Sequence, residues 1–263
     1  MDENLKTETF SINLITPNSI AADTHPGLIR ETNEDCFASY VGHGHRNALV
    51  SVADGIGGHE SGDLASNLCI RLIISSWRER KIGGGSATPE QAKAFFNTVI
   101  PKANDALYEL NEKYQIPHPM GTTLVAGIFL PETLVLAHAG DSRCYRLRDG
   151  ALRRLTNDHS FVAELVRKKV ITSEEAQFHP FAHIISKSVG PSPNLSPEIN
   201  SFERLPGDRY IFCSDGLTNH VDDPEIEKFL IEAKTPHEAV RSLMNSSLRG
   251  GGEDNVTIVC VFG

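Results

Sequence analysis

The fold is decided by Leu49-Val50-Ser51-Val52-Ala53-Asp54-Gly55-Ile56-Gly57-Gly58-His59. An apolar, β-branched run stops at the carboxylate of Asp54, and a glycine-rich turn with a histidine follows. Short apolar runs bounded by Gly and Asp are typical of buried strands. Asp54 is therefore expected at a strand end, next to a core rather than on open surface.

Three other segments join a buried strand to an acid. In two of them the acid follows the apolar run, and in the third it precedes the run; the acids are Asp141, Asp215 and Asp254. Asn33-Glu34-Asp35 adds two carboxylates after another possible strand. Carboxylates crowded at one end of a sheet repel each other unless a cation lies among them. An oxygen-only ligand set suits Mg²⁺, Mn²⁺ or Ca²⁺.

Each of these acids has a simpler interpretation. Asp-Gly after a strand is most often only a turn, because Asp bonds its own backbone and Gly accepts positive φ. The recurrence of four such acids favours a metal cluster over four unrelated turns.

Length and composition limit the possible classes of protein. A chain of 263 residues with 40% hydrophobic and 22% charged residues is globular, as one large domain or two small ones. Since no linker or repeat divides it, we expect a single domain, 1–263. The formal net charge of −9 argues against a nucleic-acid surface, which would show a basic patch.

The chain shows no sign of export or membrane insertion. It lacks an apolar stretch of about 18 residues, the length that a membrane span needs. The first residues, Met1-Asp2-Glu3-Asn4, are acidic where a signal peptide is basic. Five widely spaced cysteines form no Cys-x-x-Cys pair and are expected to be reduced and buried. We therefore expect a cytoplasmic protein.

Helical patterns flank blocks of strands. Helical spacing over 63–80, a helix from the Thr88 cap to about Tyr114 with a bend near Pro101, and helices at 224–233 and 236–248 enclose hairpins between 121 and 155. This order indicates two antiparallel sheets packed together with helices outside. Residues 156–195 are expected to form a lid or specificity flap, or simply to cover the core.

A cluster of acids that holds two hard cations can activate a water for in-line displacement at phosphorus, which predicts hydrolysis of a phosphate ester. Arg30 is the basic residue close to the acids. Its side chain is either an ordinary surface charge or a planar pair of hydrogen-bond donors that binds a phosphate. A covalent cysteine phosphatase would need an arginine six positions after a cysteine, and none of the four cysteines with enough chain after it has one. Neither a P-loop nor a Gly-x-Ser-x-Gly elbow is present.

Six motifs in order resemble those of the metal-dependent serine/threonine protein phosphatases of type 2C, in their compact bacterial form. The resemblance covers nearly the whole chain. The motifs are Arg30-Glu31-Thr32-Asn33-Glu34-Asp35, Ala53-Asp54-Gly55-Ile56-Gly57-Gly58-His59, Met120-Gly121-Thr122-Thr123-Leu124, Gly140-Asp141-Ser142-Arg143, Ser214-Asp215-Gly216-Leu217 and Gly251-Gly252-Glu253-Asp254-Asn255-Val256-Thr257.

The resemblance implies a fold and a set of residue roles. The fold is α+β, an αββα four-layer sandwich of two antiparallel sheets flanked by helix pairs. The cofactors are Mn²⁺ or Mg²⁺, as two core ions with a possible third. The implied roles are Asp54 as the bridging carboxylate, Gly55 as a carbonyl ligand of one ion, Asp215 and Asp254 as ligands of the other, Glu34 and Asp35 as an acidic pair acting largely through water, Asp141 as the ligand of a third, weaker ion that it shares with Asp215, and Arg30 as the phosphate-binding arginine.

Two positions depart from the family pattern. Ile56 stands where bacterial members often have Met and where eukaryotic relatives have a histidine suited to general-acid work. The nearest histidine is His59, which is a catalytic acid or only a turn residue. Lys187 replaces a more familiar arginine in the flap region and is expected to alter substrate preference more than chemistry.

The favoured function is hydrolysis of phosphoserine and phosphothreonine in proteins, opposing a Ser/Thr kinase. The expected partners are phosphoproteins and a cognate kinase system, with no nucleic acid or membrane, and the expected state is a monomer. One alternative is a catalytically silent module that binds phosphoproteins. Such a module would lack some of the metal ligands, but the sequence has all of them. Another is a phosphatase of a small phosphorylated molecule.

Overall fold

The computed structural model describes residues 15–42, 47–57, 60–80 and 87–263. A short 3₁₀ helix, Pro17–Ser19, precedes the first strand. The strands are β1 (Ile20–His25), β2 (Cys36–Val41), β3 (Ala48–Ala53), β4 (Gly55–Ile56), β5 (Gly121–Thr122), β6 (Leu124–Phe129), β7 (Thr133–Ala139), β8 (Arg143–Arg148), β9 (Ala151–Arg154), β10 (Glu198–Glu203), β11 (Arg209–Cys213) and β12 (Val256–Phe262). The helices are α1 (Glu60–Glu79), α2 (Pro89–Tyr114), α3 (Phe161–Arg167), α4 (Ser173–Gln177), α5 (Asp215–Thr218), α6 (Asp223–Glu232) and α7 (Pro236–Gly250).

Two five-stranded antiparallel sheets form the centre of the fold. The first sheet has the order β1-β12-β11-β8-β9, and the second has the order β10-β7-β6-β3-β2. Every neighbouring pair in both sheets is antiparallel. The turn between β7 and β8 crosses from the second sheet to the first, so its residues lie where the two sheets meet.

Within the described residues, three apolar cores hold the four layers together. Residues from the inner faces of both sheets pack against each other, with the ring of Phe129 edge-on to that of Tyr210 at 5.2 Å. Helices α1 and α2 cover the outer face of the second sheet through residues such as Trp77 and Phe96. Helices α6 and α7 cover the first sheet. The predicted αββα sandwich is confirmed.

Local capping explains where several helices begin. Thr88 caps α2 by accepting a hydrogen bond from the Gln91 amide at 3.3 Å, and Pro89 is its first residue. Proline is favoured there because the first helical amide has no partner within the helix. The helix continues through Pro101 to Tyr114. Thr172 caps α4 in the same way.

Two local boundaries differ from those that the sequence pattern predicts. Within the stretch predicted to form hairpins, the first run, 121–130, is divided at Thr123 into β5 and β6, because Thr123 bonds to the backbone of Asp54. Asp35 lies directly before β2 rather than after a strand. Asp215 follows β11 as predicted, and it is the first residue of the short helix α5.

The structure also bears on the state of the cysteines and on membrane-spanning helices. The five cysteines are free thiols, and all but the half-buried Cys36 are buried. Among the described residues, no helix combines the length and apolar character that crossing a membrane requires.

Phe212 tests the packing between the two sheets. Its ring is fully buried and lies over Gly127, where a Cβ atom would come within 2.6 Å of the ring. Phe212→Ala is expected to lower the free energy of unfolding by about 3–5 kcal/mol, the usual result of such a cavity. Phe178→Ala is the matched control, because that ring is 86% exposed. Urea unfolding measures both, and equally small changes would contradict a shared core between the sheets.

Candidate active site

Five aspartates converge on one edge of the sandwich. Asp54 and Asp35 flank strands of the second sheet, Asp215 and Asp254 flank strands of the first, and Asp141 lies in the turn that crosses between them. The negative charges of the other four all raise the pKa of Asp54. The structure therefore brings together acids that lie up to 219 positions apart, from Asp35 to Asp254.

Burial and mutual repulsion make full ionisation of this cluster costly. Burial, and then Asp35 and Asp215, hold the pKa of Asp54 well above its usual range. Burial is also the main reason why the pKa of Asp35 and that of Asp141 each rise to about 7. The pKa of Asp215 is raised by burial and by Asp254. A cation among the carboxylates would offset both effects.

Two carboxylate oxygens in the cluster have no hydrogen-bond partner among the described residues. They are Oδ1 of Asp35 and Oδ1 of Asp141, and both atoms are buried. The other oxygen of Asp35 accepts a hydrogen bond of 2.8 Å from the Ser214 hydroxyl. Buried polar atoms are rarely left without partners unless an ion or water binds them. Oxygen ligands of this kind fit Mg²⁺ or Mn²⁺.

The backbone of Asp54 is fixed by two threonines that the sequence analysis did not single out. Thr123 donates its amide to the Asp54 carbonyl at 2.8 Å, and its hydroxyl accepts the Asp54 amide at 3.0 Å. The Thr122 hydroxyl donates to the same carbonyl at 2.8 Å. Both residues lie in the motif 120–124. Its consecutive hydroxyls within an apolar run were the signal that could have identified them.

Gly55 is confined by its neighbours. A Cβ atom at this position would overlap the backbone carbonyls of Gly62 and Glu34. The site therefore requires glycine, and β4 pairs with β5 next to the cluster. The carboxylate of Glu34 lies against the α-carbon of Gly62 in α1. Its role as a ligand through water stays a prediction.

Arg30 reaches the cluster from the loop between β1 and β2. Its guanidinium donates to the carboxylate of Asp254 at 2.9 Å, and its side chain is 56% exposed. Asn255 anchors this loop, because its side-chain amide donates to the carbonyls of Pro26 and Thr32 at 2.8 and 2.9 Å. Its carbonyl oxygen accepts the amide of Glu34 at 2.8 Å. Asn255 thus ties Arg30 and the acidic pair to the start of β12, a role that its sequence position alone did not reveal.

One predicted catalytic residue, His59, lies outside the described residues. Ile56 lies in β4.

The comparisons with known proteins agree with this geometry. The family model for protein phosphatase 2C matches residues 30–250. The chain belongs to the protein phosphatase 2C family. It is 35% identical to the serine/threonine phosphatase stp of Listeria monocytogenes serotype 4b over 238 residues, covering 90% of this chain and 93% of that protein.

Solved structures of bacterial members show the same fold. The serine/threonine phosphatase of S. agalactiae superposes with a TM-score of 0.86 at 31% identity, over 92% of this chain and 98% of that one. The catalytic domain of the phosphatase PstP, solved with two manganese ions, gives a TM-score of 0.78 at 36% identity, over 92% and 97% of the two chains. The two manganese ions in the PstP structure show that a member of this family binds divalent metal.

Proposed function

We propose that this chain hydrolyses phosphoserine and phosphothreonine in proteins and depends on divalent cations for that activity. The observation that carries the proposal is the meeting of five aspartates from both sheets, two of which keep a buried oxygen that has no hydrogen-bond partner in the described part of the chain. Relatives that are named serine/threonine phosphatases over nine-tenths of the chain support the substrate class.

The residues present fit two core ions, Mn²⁺ or Mg²⁺. Asp54 would bridge them, and the other candidate ligands are the Gly55 carbonyl, Asp215 and Asp254, with Glu34 and Asp35 acting through water. A pair of such ions supplies an activated water and stabilises the charge that develops at phosphorus. We further propose that Asp141 and Asp215 hold a third, weaker ion. The buried Oδ1 of Asp141, which finds no hydrogen-bond partner among the residues described, supports this assignment.

Arg30 would bind and orient the phosphate group. A guanidinium presents a planar pair of donors that matches phosphate oxygens, and Arg30 is exposed enough for a substrate to reach it. Its bond to Asp254 places the donors beside the cluster. Asn255 limits the motion of the loop that carries it.

Arg30→Ala is expected to lower kcat/KM on a phosphothreonine peptide by about 10- to 100-fold, since charge-assisted hydrogen bonds contribute about 1.5–3 kcal/mol. Arg30→Lys should retain part of the rate, because lysine keeps the charge without the fork. Arg78→Ala on α1 is the control, an exposed arginine in a helix that covers the outer face of the second sheet. Steady-state kinetics at saturating Mn²⁺ measure all three, and an unchanged rate in Arg30→Ala would contradict the role.

The remaining proposals concern the substrate. We propose that residues 1–263 form one catalytic domain in which 156–195 act as a flap over the substrate protein. Burial lowers the pKa of His138 and that of His159, and the positive charge of Lys187 in this region acts in the same direction. A monomeric enzyme that opposes a cognate Ser/Thr kinase is the expected setting, and His59 is the candidate general acid.

The proposed function is tested by assaying an aryl phosphate and phosphothreonine peptides with Mn²⁺, with Mg²⁺ and with excess chelator. Hydrolysis of both substrate types is expected with metal and none with chelator. Activity that persists in chelator would remove the metal dependence. Hydrolysis of the aryl phosphate without any phosphopeptide would favour a small-molecule substrate, and no hydrolysis with any metal would favour a binding module.

A further inference from the structure

Asp141 lies in a turn that must keep an unusual backbone shape. Gly140, directly before it, has a φ of +114°, and a Cβ atom there would overlap the side chain of Thr123. The turn leaves β7 in one sheet and enters β8 in the other. Because the turn joins strands of two separate sheets, the direction of the Asp141 carboxylate depends on what holds each end of the turn.

Two consecutive residues, Asp158 and His159, hold both ends. The His159 amide donates to the Gly140 carbonyl at 2.9 Å, and the Gly140 amide donates to Nδ1 of His159 at 3.2 Å. On the other side of Asp141, the Arg143 guanidinium donates to both carboxylate oxygens of Asp158, at 2.7 Å for the shortest contact. The turn is thus fixed on either side of the candidate ligand.

The hydrogen bonds of His159 also settle its chemical state. Nδ1 accepts a backbone N–H, so the ring proton lies on Nε2, which faces Oε2 of Glu198 at 3.3 Å. The ring stacks on that of His138 with centroids 4.5 Å apart and planes within 1°. Burial lowers the pKa of His159 to about 4, with His138 and Lys187 acting in the same direction. The ring is therefore neutral at physiological pH.

His138, His159 and Glu198 could themselves suggest a metal site, because one ligand atom from each lies within 4.8 Å of the others. The hydrogen bonds argue otherwise. Nε2 of His138 contacts the Asn157 carbonyl at 2.9 Å and must carry a proton to do so. Nε2 of His159 carries a proton as well, and its Nδ1 accepts the Gly140 amide. Neither nitrogen of this ring has the free lone pair that a metal ligand needs, so His159 is held as a support by its hydrogen bonds and by stacking on His138.

His159 itself belongs to the proposed flap, 156–195, and it joins the turn to later residues of that segment. The Ser186 amide donates to the His159 carbonyl at 2.8 Å, and Ser160 pairs with Ile185 as an antiparallel bridge. A change in the flap can therefore reach Gly140 through a single residue.

We propose that His159 is a positioning residue that, through Gly140, orients the Asp141 carboxylate for cation binding. The inference rests on the proposed function, since it concerns the third ion of that site. Residues that orient a metal ligand commonly alter metal affinity by about 10- to 100-fold when they are replaced.

Two amide variants separate this role from general packing. The side-chain oxygen of His159→Asn takes the place of Nδ1 and can still accept the Gly140 amide. The amide of His159→Gln takes the place of Nε2, near Glu198, and leaves the Gly140 amide without its partner. Both variants place one amide in the same buried space. The midpoint temperature of thermal unfolding, measured in chelator, is therefore expected to fall by a similar amount in both.

The readout is Mn²⁺ binding by isothermal titration calorimetry. The weakest binding event is expected to lose about 10- to 100-fold in affinity in His159→Gln, and to be unchanged in His159→Asn. In an Asp141→Ala background, His159→Gln is expected to cause no further change in Mn²⁺ affinity.

Three results would overturn the inference: equal loss in the two amide variants, no loss in either, or a loss that persists in the Asp141→Ala background. Those results leave aryl phosphate hydrolysis by the wild type intact, and with it the proposed function. A wild-type chain that binds no Mn²⁺ and hydrolyses nothing would overturn the proposed function and this inference together.

Discussion

Asp54→Asn and Asp215→Asn are each expected to abolish hydrolysis while the fold survives. The loss should exceed about 1,000-fold, equivalent to about 4 kcal/mol of transition-state stabilisation, because each change removes a charged ligand of the proposed ions. Asparagine keeps the size of the side chain, and the hydrogen bonds at Asp54 that fix it come from its backbone. Steady-state kinetics on an aryl phosphate at saturating Mn²⁺ measure the loss.

Asp105→Asn on α2 is the matched control, since it removes one exposed carboxylate from a helix that covers the outer face of the second sheet. It should keep the wild-type rate. Circular dichroism should show native secondary structure in all three variants. Near-normal turnover in both site variants would count against the assignment of these aspartates as ligands.

In the presence of chelator, the free energy of unfolding is expected to fall as the pH rises from about 4 to about 7. The pKa values of Asp35 and Asp141 rise from 3.8 to about 7 on folding, and those of Asp54 and Asp215 also rise. A group with a raised pKa binds its proton more tightly when folded, so its contribution is complete below pH 4 and is lost as the pH passes its folded pKa. One pKa unit corresponds to about 1.4 kcal/mol, so the combined loss is expected to reach a few kcal/mol.

Saturating Mn²⁺ should remove this loss, because the ions favour the ionised carboxylates that repulsion disfavours. Buried His159 acts in the opposite sense, since its pKa is lowered on folding. Its contribution is the same in both solutions, so the difference between Mn²⁺ and chelator isolates the aspartates. Urea unfolding at pH 5 and pH 8 in each solution gives that difference. A Mn²⁺ stabilisation that is no larger at pH 8 than at pH 5 would contradict it.

The layered fold could be predicted because its elements are strongly periodic. The β3 run Ala48–Ala53 is buried at every position, as expected for a strand in the middle of a four-layer sandwich. The helices that the pattern placed at either end of the strand block do cover opposite sheets. The boundary errors arose where a side chain or backbone bond overrides local preference, as at Thr123, which breaks its strand to bond Asp54.

The candidate ligands could be predicted for a related reason. Acids directly next to buried strands are confined to the ends of a sheet, so Asp54, Asp215 and Asp254 could be grouped without knowing the topology. The supporting residues could not be found in this way. Asn255 and His159 act through contacts with chain more than 18 positions away, at Thr32 and at Gly140, and nothing in their own neighbourhood indicates those partners.

The central claim is that aspartates from both sheets gather to hold a pair of divalent ions. Crystals grown with Mn²⁺ and measured at the manganese absorption edge test it directly. We expect two anomalous peaks that share the Asp54 carboxylate, with Asp215 and Asp254 among the ligands. Anomalous peaks only at other places on the protein, or none in crystals of an enzyme that is active with Mn²⁺, would contradict the claim.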